Sequence, residues 1–156
     1  MKRTMWMVVG VVMCGVMGNA AAQGDRAGKI AAHYETLAGS MDNALALVEG
    51  LHLGVSVKLV ASVAASERAL PMMTMIDPPT GAMDLGDVER ALAMAQFALQ
   101  RARVSQPTAE QLEAALLGGV ALNGDGEWVT FAGILSLHAA GVPWNHVARL
   151  SIPRAQ

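Results

Sequence analysis

One cysteine in 156 residues leaves the chain without an intrachain disulfide, and a lone thiol cannot build a cysteine-based zinc site. Aromatic residues are scarce at 4%, so the core must be built mainly from aliphatic side chains. The four histidines, His33, His52, His138 and His146, include no pair four apart, which removes the usual helical zinc site. There is no H-E-x-x-H, no G-x-S-x-G and no glycine-rich phosphate loop. Positive charge is also short, with 11 basic against 13 acidic residues. That balance argues against nucleic acid or an anionic membrane surface as partner.

What is present begins with a leader. Lys2 and Arg3 precede an uncharged apolar run from Met5 to Met17, and Ala20, Ala21 and Ala22 stand before Gln23. This is the layout of a secretory signal at 1–22, cleaved between Ala22 and Gln23, and it is too short to span a membrane with proper flanks. Met13 before Cys14 does not suit a lipoprotein site, where a small residue is needed. Cleavage is expected to leave one mainly helical domain over 23–156, in the periplasm or outside the cell, with no stable membrane span. Losing Lys2 and Arg3 moves the net charge from −2 to −4. The part after the leader has no cysteine but 25 alanines, which favour helix and bury little area each.

The periodicity predicts an α+β chain, mainly α with a small antiparallel sheet and about five helices. Ile30, Tyr34 and Leu37 mark a helix over 25–38; Ser40 starts a second, with Ala44, Leu47 and Leu51 as its stripe. The period then changes to two. Val55, Val57 and Leu59 alternate with Ser56 and Lys58 in a strand over 55–60, and 72–76 reads as its antiparallel neighbour. The bridge "ASVAASERA" is open between loop and a turn of helix. A long helix follows over 85–103, with Asp84 as N-cap and Met83 and Val88 spaced as a hydrophobic staple. Thr108 with Gln111 is a capping box, and Leu112, Ala115 and Leu116 form that helix's apolar face. Asn123-Gly124-Asp125-Gly126 turns a hairpin within 119–131. Two short helices close the chain around "GVPW".

Three features invite chemistry. The stretch "IDPPTGAMD" combines prolines that hold their neighbours extended with Gly81, which turns without strain. Such a loop loses little entropy on binding, so Pro78, Pro79, Thr80, Gly81 and Met83 are candidate contact residues. Trp144 joins them because tryptophan is enriched at binding hot spots. Met72, Met73 and Met75, with Met83 nearby, offer soft thioethers to Cu(I), although strand alternation would split Met72 from the other two. The turn "NGDGE" is not a calcium loop: Trp128 and Ile134 replace the required glycine and glutamate. The closing helix pair has helix-turn-helix spacing, but with Arg149 as its only cation it reads as an ordinary helical corner.

The pieces "PPTGAMDLGDVERALAMAQ", "PTAEQLEAALLGG" and "GILSLHAAGVPWNHVA" together resemble a group of small uncharacterised secreted proteins of Gram-negative bacteria. The shared marks are a P-P-T-G-x-M stretch before a helix, a P-T-x-x-Q-L helix start and a late turn with tryptophan. Pro143 and Asn145 stand around Trp144 where the group would have glycines. The resemblance implies a secreted location and this order of elements. It supplies no activity, and neither it nor the residues indicate a cofactor. The sequence favours a non-enzymatic module that binds an envelope protein or a peptide. The alternatives are periplasmic Cu(I) binding by the methionine cluster, and an enzyme whose site the fold assembles from separated residues.

Overall fold

The computed structural model describes residues 17–60 and 73–155. The chain order is α1 (Met17–His33), α2 (Glu35–Ala38), α3 (Met41–Leu53), β1 (Val57–Val60), β2 (Met73–Ile76), α4 (Leu85–Arg101), α5 (Ala109–Leu117), β3 (Gly119–Leu122), β4 (Trp128–Phe131), α6 (Ile134–Ala139), α7 (Trp144–Leu150) and β5 (Arg154–Ala155). The start of the leader, the bridge "ASVAASERA" and Met72 lie outside the described residues. No helix among those described is long and apolar enough to cross a membrane. The fold is α+β, mainly helical, as the periodicity predicts.

The local signals hold residue by residue. Ser40 accepts from the Asn43 amide, Asp84 from that of Asp87, and Thr108 with Gln111 forms the complete capping box. Each cap satisfies donors that a helix start leaves unpaired. Leu47, Leu51, Leu92, Leu99, Leu112 and Leu116 are fully buried, so the stripes on α3, α4 and α5 form the core. Helix α1 passes through the expected cleavage point. Its residues seen to be buried are Ala27, Ile30 and Ala31, so a chain beginning at Gln23 would keep that packing.

Seven helices form among the described residues, against about five expected. One added helix arises because the run over 25–38 breaks at Tyr34. The Tyr34 amide is shared between the Ile30 and Ala31 carbonyls, and its hydroxyl donates to the Glu89 carbonyl on α4 at 3.3 Å. The bend lets a nearly buried ring reach the neighbouring helix. Burial, and then the nearby Glu89 carboxylate, push the Tyr34 hydroxyl above its ordinary value of 10.0.

The strands form two sheets rather than one: β1-β2, and β3-β4-β5. The first pairs Val57 with Ile76 and Val60 with Met73. Val55 is exposed and lies before β1. Its N–H is held by the Gly50 carbonyl, so it finishes α3 instead of opening the strand. Gly50 is buried beneath Val57, which occupies the space that a Cβ would need. In the second sheet Leu122 pairs with Trp128 and Val120 with Thr130, while Thr130 also pairs with Arg154 of the unanticipated β5.

Asn43 joins the first sheet to the helices. Its buried amide donates to the Ala38 carbonyl at 3.0 Å and the Val60 carbonyl at 2.8 Å, and it accepts from the Val60 amide at 3.0 Å. It thus takes both backbone groups that Val60 turns away from β2.

Replacing Asn43 with alanine strands the Val60 amide and two carbonyls. We expect a loss of about 3 kcal/mol in urea-denaturation stability, the scale for several abandoned polar groups. Tyr34 is the only tyrosine, so its ionisation can be followed by tyrosinate absorbance. With its folded value raised, the unfolded chain releases the proton first. The stability tied to this group is therefore present below pH 10 and is lost as pH rises through the folded value. Tyr34→Phe should remove that part of the alkaline loss in pH-dependent urea melts.

Candidate functional site

The proline loop is fixed at both ends. At its start, the Ser56 hydroxyl donates to the Asp77 carboxylate. At its end, the Met83 N–H reaches the Leu51 and His52 carbonyls, each at 3.2 Å, so the loop caps the C-terminus of α3. His52 donates from Nδ1 to the Met83 carbonyl at 2.7 Å; a carbonyl can only accept, which fixes the proton on Nδ1. Met83 itself is buried, as is Val88, its staple partner. Asp84 then opens α4. Between the anchors Pro79, Gly81 and Ala82 are exposed, and Pro78 and Thr80 are half-buried.

Gly54 makes the close approach possible. It sits at φ 69°, and an added Cβ would lie 2.9 Å from Ala82 Cα and nearer still to the Ala82 nitrogen. The loop therefore rests on a bare stretch of backbone.

The other candidates are dispersed. Trp144 is half-buried at the start of α7 and stacked on His138, with ring centroids 3.8 Å apart and planes 19° from parallel. The ring packs against the core and so holds the α6–α7 corner. The methionines do not share one face. Met73 and Met75 are exposed on the outer side of β2, opposite Val60 and Lys58, whereas Met83 is in the core. Met73 and Met75 point the same way, as alternation predicts, but into solvent rather than into the protein. Among the described residues, no three His, Cys, Asp or Glu side chains are grouped to hold a metal ion.

Residue type and spacing did not single out Trp128, which the fold displays. It is 58% exposed on the outer face of β4, directly opposite Leu122 at 41%, with Val120 also exposed beside them. Inward-facing Ala121, Val129 and Phe131 are buried. Both faces of this sheet thus carry apolar side chains, and among the described residues the outer one is left exposed at Val120, Leu122 and Trp128. The signal was present in "VALNGDGEWVTF", where apolar residues occupy both alternating sets, a pattern that marks a strand covered on both sides.

Polar groups gather in one cleft of about 500 Å³, where Arg101, Arg103, Asn123, Asp125 and Glu127 contribute to the lining. Arg103 has φ 58°, a left-handed conformation that costs a side-chain-bearing residue. The cause is the end of α4: the Val104 amide returns to the Leu99 carbonyl and that of Arg103 to Gln100, a Schellman ending. Arg103 then pairs with Asp125 at 2.9 Å. This arrangement joins helix end to hairpin turn and aligns no nucleophile with a base.

Gly54→Ala adds left-handed strain to a backbone clash and is expected to cost about 2–4 kcal/mol in urea denaturation. Gly81→Ala is the comparison. It has φ 67° but open space around its Cβ position, so it should cost only about 1 kcal/mol. Equal costs would show that the loop does not press on α3.

No protein-family model, curated protein or solved structure matches the chain.

Proposed function

We propose that this protein is a non-enzymatic periplasmic or secreted module that binds another envelope protein or a peptide. The observation that carries the reading is the exposed apolar patch on the β3-β4 hairpin, where Trp128 is more than half exposed opposite Leu122 with Val120 beside them. Leaving such a cluster in water is unfavourable, and contiguous exposed apolar residues mark interaction surfaces. A large aromatic residue at the centre supplies most contact area at little entropic cost. The loop over 78–83 adds a second contact point, because its anchors have already fixed its conformation. The leader pattern at 1–22 supports a location of both surfaces outside the cytoplasm.

The test is photo-crosslinking in the producing cell, with a benzophenone amino acid at Trp128, at Thr80, or at exposed Gln100 as a control. We expect a discrete adduct from position 128, lost when Leu122 is changed to serine. Adducts no stronger than those from position 100 would remove the sheet face as a binding surface.

A further inference from the structure

We propose that the cleft lined from β4, β5, α6 and α7 binds a short aliphatic chain ending in a carboxylate. The site adjoins the exposed patch at Val120, Leu122 and Trp128, since Thr130 pairs with Val120, but its residues and its ligand chemistry are different. The cleft holds about 200 Å³, and its walls are Ala132, Leu137, Leu150 and Ile152, with Thr130 and Arg154 at the polar side. Leu150 and Ile152 are 42% and 41% exposed, so water still wets the apolar walls. This volume falls below the roughly 300–1,000 Å³ of sites for drug-sized molecules, which suits a single flexible chain better than a ring system.

Charge selects the end group. Arg154, like Arg101 and Arg149, enters none of the ion pairs among the described residues, and of these three it is the one that lines this cleft. Its place is fixed by the register that sets it beside Thr130. A guanidinium at the rim of an aliphatic cleft recognises a carboxylate through paired charge-assisted hydrogen bonds. Among the described residues, no acidic side chain lines the cleft to compete for it. The same cation disfavours a second copy as occupant, since a two-fold contact centred on the cleft would bring arginine toward arginine.

The probe is octanoate, added to the purified protein below its micelle concentration and followed by methyl NMR. Saturable shifts are expected at Leu137, Leu150 and Ile152. Octylammonium and octanol should bind about tenfold more weakly or worse, the scale of one hydrogen bond to a charged group. Arg154→Met should weaken octanoate by a similar factor while leaving the methyl spectrum dispersed. Ala132→Leu should block the cleft with Arg154 still in place. Equal binding of octanoate and octylammonium, unsaturable shifts spread over Leu122 and Val120, or an unaffected Arg154→Met would overturn the assignment. So would a dimer in sedimentation velocity that Ile152→Ser dissolves, because it would give the cleft to a second copy.

Discussion

The Asn43 amide ties α2, α3 and β1 into one unit on which the first sheet depends. One side chain closes the end of α2, belongs to the first turn of α3 and pairs with the outer edge of β1. A buried amide is worth little when satisfied and expensive when not, so the three elements are fixed in relation to one another by a group that tolerates no other arrangement. With β1 placed, Val57 and Leu59 turn onto the helices and Lys58 and Val60 turn outward. Everything downstream in the first sheet inherits that orientation, including the outward Met73 and Met75.

From the far end of α3 the same logic positions the loop. Leu51 and His52 present carbonyls that the helix cannot use, and Met83 supplies the donor they need. The loop is thus part of the helix terminus, and its exposed residues are held by bonds made on either side of them. The two proposed contact regions differ in kind. The loop offers shape with little apolar area, while the second sheet offers apolar area on a twisted, regular surface. Each draws its rigidity from helices that take no part in the contact.

Most of the fold was legible in the sequence because its signals are local. Ser40, Asp84 and Thr108 cap over three residues, and the leucine stripes repeat within one helix. What escaped depends on distance along the chain. Asn43 meets Val60 seventeen positions later, and Gln111 bonds to the Leu122 carbonyl eleven positions later. An amide in a helical pattern says nothing of such partners. The candidate site was legible only in part. Proline and glycine chemistry located the loop, but which face of "WVTF" would be covered depended on whether another layer packs there. Trp144 shows the converse: its residue type suggested a contact, and the stacked His138 accounts for its place in the structure.

The second amide has a consequence of its own. Gln111 serves the Thr108 capping box with its oxygen and covers an outward carbonyl of β3 with its nitrogen. Asn43 does the same for β1. Each amide thus satisfies backbone groups at one position of a strand margin that an arriving chain would otherwise pair with, a local form of the edge protection natural sheets use against templating fibrils. At Leu122, beside the exposed Trp128, a partner therefore meets side chains while the strand's own carbonyl is already engaged.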